Sequence, residues 1–321
     1  MAGNIALFAA GLLMLWASSE VIIRNITPLA RILGVKELVV TVLGVSILSS
    51  LPELTVSAFA IAAGNSDVSV GNVIGSNFVT LTFVTAVCAL IRPIDIHRDV
   101  QERESSWMIL SSALVLILSM DGILSRSDGC ILILTYLPYI HSVLSTAHEG
   151  VERSAPDGRP VWRKLVKPAG FTLVGILGLI FSSKLSLDSG EKLGQAAGIP
   201  ALPLGVVLFA FGTSLPELAI SMSATLKRKA DVTIGEVYAS NIFTQMVVLG
   251  ICCLISPITV APSMLSLAMP LLVLATVVIQ LFVTSGLRVT RREAIGLLIF
   301  YAVFVVNQFL DLPSLSEMLG F

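Results

Sequence analysis

The 321-residue chain is 55% hydrophobic and only 13% charged, with a net charge of −1 and a mean hydropathy of +0.92. A soluble domain carries about 25% charged residues, so this composition excludes an ordinary soluble protein. The near-neutral charge excludes the basic surface that nucleic-acid binding requires. The composition therefore predicts an all-α polytopic membrane protein whose surroundings are the lipid bilayer.

Ten apolar runs fit membrane-spanning helices, each of which needs about 20 residues. No basic segment precedes the first run, so we expect a retained span and not a cleaved signal. The longest polar stretch, His148–Lys167, contains Pro156 and Gly158 and predicts a loop that separates five spans from five. The predicted spans are 4–23, 37–63, 68–91, 104–120, 129–146, 168–186, 201–226, 232–256, 263–284 and 292–310.

The basic residues predict how these spans are oriented. Of the 20 Lys and Arg residues, only Arg126, Lys184 and Lys192 lie on the side opposite the long connector. Basic loops mark the cytoplasmic side of a membrane protein. We therefore expect a protein of the cell (plasma or inner) membrane with the connector 147–167 in the cytoplasm and both termini outside.

A shift of 164 residues superimposes the two halves of the chain without a gap. It places Ser50–Leu54 on Ser214–Leu218 and Gly71 on Gly235, and it continues through the pairs after them. Each half holds five spans, an odd number, so the two copies must cross the membrane in opposite directions. The sequence thus predicts an inverted repeat, 1–146 and 168–321, which is typical of secondary transporters with a substrate site near the bilayer midplane.

Spans two and seven each contain polar side chains in the middle of an apolar run. A carboxylate near the bilayer centre costs roughly 2.5–3.5 kcal/mol, so Glu53 and Glu217 indicate a functional site. Pro52 and Pro216 cannot donate a backbone hydrogen bond and should open the helix just before each glutamate. The polar residues recur at intervals of three and four, on one helix face. They are Ser46, Ser49, Ser50, Glu53 and Ser57, and in the second copy Thr213, Ser214, Glu217 and Ser221.

Spans three and eight supply a second polar face, with residues four apart on one side of each helix. These residues are Asn72, Ser76 and Thr80 in the first copy and Glu236, Ser240 and Thr244 in the second. Four such stripes would form an all-oxygen cage of the kind that Ca²⁺ or Mg²⁺ prefers, whereas zinc or copper would require His or Cys. We expect Asn72 one turn inside the outer mouth. Glu236 should lie one turn inside the cytoplasmic mouth, either recruiting cations or protons or serving as a solvated rim acid.

Three motifs carry a family resemblance: Leu48–Glu53 (LSSLPE), Gly71–Asn77 (GNVIGSN) and Gly212–Glu217 (GTSLPE). At these residues the chain resembles the calcium/cation antiporter superfamily, in particular the prokaryotic type of sodium/calcium exchanger. The resemblance implies a Ca²⁺ site with Glu53, Glu217 and the carbonyls of Ser49 and Thr213. It also implies flanking monovalent sites with Ser50, Ser76, Ser214 and Ser240 and the carbonyls of Ser46 and Ala210. Thr80 and Thr244 depart from the family pattern, which usually has Asn or Asp there.

The favoured hypothesis is a secondary active antiporter, not an enzyme, that exchanges a divalent cation, with Ca²⁺ preferred, for Na⁺ by alternating access. The alternative is an H⁺-coupled Ca²⁺ or Mg²⁺ exchanger in which Glu53, Glu217 or Glu236 carries the proton, because buried carboxylates close together can hold one. A channel is disfavoured by the two inverted halves, and a hydrolase by the lack of a His near Ser50 or Ser214. No cofactor is predicted apart from the transported ions, and the oligomeric state stays open.

Overall fold

The computed structural model describes residues 2–32, 45–95, 98–146 and 161–310. Within them the α-helices are α1 Ala2–Ile32, α2 Val45–Ser49, α3 Leu51–Ala62, α4 Ser66–Phe78, α5 Thr85–Ile91, α6 Arg98–Leu118, α7 Arg126–Thr146, α8 Val161–Ala197, α9 Ala201–Pro203, α10 Ala210–Thr213, α11 Leu215–Leu226, α12 Ala230–Phe243, α13 Leu249–Ile255, α14 Met269–Gly286 and α15 Arg291–Leu310. The π-helical segments are Val79–Val84, Leu204–Phe209, Thr244–Val248 and Met264–Ala268. The strands are β1 Ile94–Asp95, β2 Ile123–Leu124, β3 Ile258–Thr259 and β4 Arg288–Val289.

The protein is an all-helical polytopic membrane protein. Seven of its described helices are long and apolar enough to cross a bilayer, and the bent pair Ala201–Thr213 and Leu215–Leu226 makes up to eight. The predicted span 104–120 coincides with α6, whose apolar part, Glu104–Leu118, is shorter. The predicted span 37–63 begins outside the described residues and continues into α2 and α3.

The prediction of a loop over residues 148–167 is wrong at its carboxyl end. Residues 147–160 lie outside the described residues, but Val161–Lys167 already belong to α8, which continues through Pro168. Proline marks a probable helix boundary in a sequence, but membrane helices tolerate it where neighbouring groups satisfy the freed carbonyl. Because α8 packs along α1, tertiary contacts favour the continuous helix.

Two helices are interrupted at equivalent positions, and we call them the first broken helix (α2 and α3) and the second broken helix (α9, α10 and α11 with the intervening π-helical segment). The first is interrupted at Ser50 (φ −86°, ψ 8°) and the second at Ser214 (φ −80°, ψ 7°). A proline follows each serine by two residues, and its ring has no N–H for the preceding turn. The predicted opening of both helices before the glutamates is therefore confirmed.

Two helical rods form the centre of the molecule. In an 18-residue apolar window of each of the spans Ser66–Ile91 and Val232–Ile255, 78% of the residues are buried, whereas the corresponding share in Leu165–Ala197 is only 22%. The short strands pair antiparallel, β1 with β4 and β2 with β3, and Arg288 forms an ion pair with Asp95 at 3.1 Å. Each strand pair thus joins a loop of the first half to a loop of the second half around the buried centre.

Candidate functional site

The site begins where the two broken helices restart. Glu53 lies in the first turn of α3, and Glu217 lies in the first turn of α11. A carboxylate at a helix N-terminus is stabilised by the unpaired backbone N–H groups and by the helix dipole. The side chains of Glu53 and Glu217 are 1% and 2% exposed. The interruption of each helix therefore places a carboxylate inside the protein, at a position favourable for negative charge.

The two broken helices contact each other reciprocally. The Ser50 hydroxyl donates to Glu217 Oε1 at 3.1 Å, and the equivalent Ser214 hydroxyl donates to Glu53 Oε1 at 3.5 Å. The second oxygen of each carboxylate, Oε2, has no hydrogen-bond partner among the described residues. A buried carboxylate oxygen without a partner is costly, so this arrangement calls for a positively charged ligand.

Asn72 belongs to this cluster. Its amide donates to the Ser57 hydroxyl at 3.0 Å and to the Glu53 carbonyl at 3.4 Å, while the Thr213 hydroxyl donates to Asn72 Oδ1 at 3.2 Å. The side chain is completely buried. Asn72 is therefore enclosed between the two broken helices, and its position one turn inside the outer mouth stays a prediction.

Glu236 also lies inside the protein. Its Oε2 accepts a hydrogen bond from the Ser46 hydroxyl at 2.7 Å, and its Oε1 accepts one from the Ser49 hydroxyl at 2.8 Å. The side chain is 4% exposed, so the interpretation as a solvated rim acid is wrong, while its position one turn inside the cytoplasmic mouth stays a prediction. The physical reason is that α2 packs directly on α12 and covers the helix face that carries Glu236.

The four remaining predicted side chains on the central rods do not contact the carboxylates through the described hydrogen bonds. The Ser76 and Ser240 hydroxyls donate to the carbonyls of Val73 and Val237, at 3.0 and 3.2 Å. The remaining two, Thr80 and Thr244, donate to the carbonyls four residues earlier in the chain, at 2.9 Å in both cases. The structure thus divides the predicted residues between a carboxylate cluster and a second, uncharged cluster.

Sequence reasoning missed the amides of this uncharged cluster. Asn77 donates to the Thr244 hydroxyl at 2.9 Å, Asn241 donates to the Thr80 hydroxyl at 2.6 Å, and Gln245 donates to Asn77 Oδ1 at 2.9 Å. The 164-residue shift pairs Asn77 with Asn241, so the repeat contained a signal for both. It pairs Gln245 with Leu81, so the repeat did not indicate a role for Gln245.

The chemistry of the carboxylate cluster is that of oxygen ligands. No three His, Cys, Asp or Glu side chains of the described residues come together in a metal-holding group. An ion between Glu53 and Glu217 would therefore need hydroxyl and backbone carbonyl oxygens as well. Such mixed oxygen sets suit hard cations, which Ca²⁺ exemplifies with six to eight flexible ligands.

Comparison with known proteins decides the family. The sequence model of the family described as "Sodium/calcium exchanger protein" matches residues 3–144 and 167–310. The chain belongs to the sodium/calcium exchanger family. Both broken helices and both central rods lie inside the matched residues, so the carboxylate cluster is part of the family's shared region.

Individual relatives extend over most of the chain. The inner membrane protein YrbG of Escherichia coli is 31% identical over 86% of this chain and 87% of its own length. The sodium/calcium exchanger MaX1 of Methanosarcina acetivorans is 25% identical over 95% of this chain and 98% of its own. The solved structure of the sodium–calcium exchanger NCX_Mj, soaked with 2.5 mM Na⁺ and 1 mM Sr²⁺, is similar with a TM-score of 0.71 at 25% identity, over 94% and 97% of the two chains.

Proposed function

We propose that this protein exchanges Ca²⁺ for Na⁺ across the membrane by alternating access. The observation that carries the proposal is the pair of buried carboxylates, Glu53 and Glu217, each with one oxygen that lacks a described hydrogen-bond partner. Two negative charges between two interrupted helices match the charge of one divalent cation. Membership of the sodium/calcium exchanger family supports the same choice of ions.

The proposed divalent site uses Glu53 and Glu217 with the carbonyls of Ser49 and Thr213. These carbonyls belong to the residues just before the two interruptions, where the helical hydrogen-bond pattern is broken. The proposed flanking monovalent sites use further hydroxyls and carbonyls beside the divalent ion. Their ligands are the side chains of Ser50, Ser76, Ser214 and Ser240 and the carbonyls of Ser46 and Ala210. Thr80 and Thr244 line the proposed site on the side of the Asn77 and Asn241 amide groups.

The proposed architecture is an inverted repeat of five spans, 1–146 and 168–321, with the connector 147–167 in the cytoplasm and both termini outside. Reciprocal contacts support it. Ser50 contacts Glu217 as Ser214 contacts Glu53, and strand β1 pairs with β4 as β2 pairs with β3. Such exchange of partners is what a two-fold relation between two halves produces, and inverted repeats of secondary transporters have that relation.

The test is uptake of ⁴⁵Ca²⁺ into proteoliposomes that contain the purified protein. Outward gradients of Na⁺, Li⁺, K⁺ and H⁺ are compared at equal ionic strength, and only the Na⁺ gradient is expected to drive uptake. Uptake driven by H⁺ alone would replace the proposal by the H⁺-coupled alternative. Failure of every gradient to drive ⁴⁵Ca²⁺ uptake would reject Ca²⁺ exchange.

A control variant separates the site from other buried acids. Glu104 is 1% exposed, and its Oε2 accepts a hydrogen bond from the Tyr139 hydroxyl at 2.7 Å. Neither residue belongs to a broken helix. Glu104→Gln should therefore keep Na⁺-driven uptake, although it removes a buried carboxyl group as completely as a substitution at Glu53 would.

A further inference from the structure

The two halves of the carboxylate cluster differ at one equivalent pair of residues. On one side the Thr213 hydroxyl donates to Asn72; on the other the Ser49 hydroxyl donates to Glu236, the counterpart of Asn72. Glu236 also accepts a hydrogen bond from the Ser46 hydroxyl, whereas the counterpart of Ser46 in the other half is an alanine. The second half of the chain therefore contributes a carboxylate, and the first half contributes one more hydroxyl to contact it.

Two serine hydroxyls beside Glu236 and Glu217 each lie within hydrogen-bond distance of two acceptor oxygens. Ser49 Oγ lies 2.8 Å from Glu236 Oε1 and 3.0 Å from the Ser46 carbonyl. Ser50 Oγ lies 3.1 Å from Glu217 Oε1 and 3.0 Å from the same carbonyl. A serine hydroxyl has one hydrogen, so it can donate fully to only one of its two acceptors. The Ser46 carbonyl also accepts the Ser50 backbone N–H at 3.3 Å, so both hydroxyl hydrogens are available to the carboxylates. Both hydroxyl oxygens keep lone pairs that a cation can use.

Glu217 provides a second indication that a ligand binds near Glu236. It is 2% exposed and its Oε2 has no hydrogen-bond partner among the described residues. Glu217 and Glu236 contact neighbouring serines, Ser50 and Ser49, so their carboxylates approach the same turn of the first broken helix. A carboxylate with one unpartnered oxygen therefore contacts the serine next to one that contacts Glu236.

Charge balance indicates what this ligand is. No described ion pair involves Glu53, Glu217 or Glu236. A divalent ion between Glu53 and Glu217 balances two negative charges and leaves an ionised Glu236 without a counter-charge. Uncompensated buried charge is strongly destabilising.

We propose that Glu236, with the hydroxyls of Ser46 and Ser49 and the Glu217 carboxylate that it shares with the divalent ion, binds a monovalent cation that remains bound beside the divalent ion. The inference rests on the proposed divalent site. It assigns Glu236 to a separate cation position, in agreement with the absence of any described group of three carboxylates that could hold one metal. The equivalent position at Asn72 has no carboxylate, so the two flanking positions have unequal affinity for monovalent cations.

The experiment measures equilibrium binding of ²²Na⁺ and ⁴⁵Ca²⁺ in parallel to the purified full-length protein, at saturating Ca²⁺. The wild-type protein should retain about one Na⁺ per chain while Ca²⁺ is bound. Glu236→Gln should weaken this Na⁺ retention at least tenfold, the lower end of the range for losing a partner at a metal site, and should keep ⁴⁵Ca²⁺ binding. Glu104→Gln, the control, should retain both ions.

Two results would overturn the inference: wild-type protein that binds ⁴⁵Ca²⁺ but releases all ²²Na⁺, or Glu236→Gln protein that retains Na⁺ as the wild type does. If the wild type binds no ⁴⁵Ca²⁺ at all, the proposed divalent site itself fails, and the inference fails with it. Ser46→Ala tests the same position if Glu236→Gln does not fold. It copies the alanine of the other half, and unchanged Na⁺ retention in this variant would equally reject the site.

Discussion

The first and second broken helices share their interruption but differ in what contacts them. Both have a serine at the break, a proline two residues later and a buried glutamate in the next turn. The first broken helix contacts the acid Glu236 through Ser46 and Ser49, while the second contacts the neutral Asn72 through Thr213. The comparison shows that the backbone geometry of the site is duplicated and that its charge is not. Local substitution can therefore make two equivalent positions chemically different without changing the scaffold.

Substitution of the glutamate should have the same effect on transport in both broken helices. Glu53→Gln and Glu217→Gln should each reduce Na⁺-driven ⁴⁵Ca²⁺ uptake to the background of empty liposomes, because each removes one of the two charges that balance a divalent ion. The loss should exceed the roughly 10–100-fold typical of outer-shell changes at metal sites. Uptake that survives in either variant would show that the two carboxylates do not act as a pair.

The orientation of the two halves can be tested at an equivalent pair of exposed residues. Ala63 and Lys227 each follow a broken helix and are exposed. In a cysteine-free background, Ala63→Cys should react with a membrane-impermeant thiol reagent added outside intact cells, and Lys227→Cys should react only after the cells are opened. Labelling of both from the same side would reject the inverted repeat.

Replacing either proline by alanine should change thermal stability and Ca²⁺ affinity in opposite directions. Pro52 and Pro216 lie in the first turn of α3 and α11, where proline is tolerated. Pro52→Ala and Pro216→Ala each restore a backbone N–H that can donate to the carbonyl four residues earlier, a hydrogen bond with a net value of about 1 kcal/mol. We expect each variant to melt at a higher temperature but to bind ⁴⁵Ca²⁺ about tenfold more weakly, as expected for a disturbed metal-ligand position. Thermal unfolding followed by fluorescence and equilibrium ⁴⁵Ca²⁺ binding would measure the two effects. A variant that gains both stability and affinity would show that the break is not needed for binding.

The smallest expected difference concerns the uncharged cluster. Asn77 contacts Thr244 and Gln245, whereas Asn241 contacts Thr80 and its Oδ1 has no described partner. Asn77→Ala should therefore lower the free energy of unfolding by about 1 kcal/mol more than Asn241→Ala, the typical net value of one hydrogen bond. Chemical denaturation in detergent would measure both.

A matched background controls this last comparison. Gln245→Leu gives the second copy the leucine that the first copy has at the equivalent position. In that background the two asparagine substitutions should cost the same, because the additional amide contact is gone. A difference that persists would come from packing around the two helices and not from Gln245.

The sequence by itself determined the features that depend on neighbours along the chain. Proline chemistry located both interruptions, because a missing N–H acts within one helical turn. Helical spacing grouped Ser46, Ser49 and Glu53 on one face, and the conserved register of the 164-residue shift identified the equivalent residues of the two halves. The family followed from the motifs around the two glutamates.

Only the tertiary structure decided what each polar face contacts. Periodicity gives the residues that share a face of a helix, but it does not give the helix that packs against that face. The sequence therefore left open whether Glu236 is a solvated rim acid, and only the fold shows that the broken helices bury both Asn72 and Glu236. In the same way α8 continues through Pro168, because its contacts with α1 outweigh a local helix-breaking signal. Burial and partner choice are properties of packing between distant segments, and no local pattern contains them.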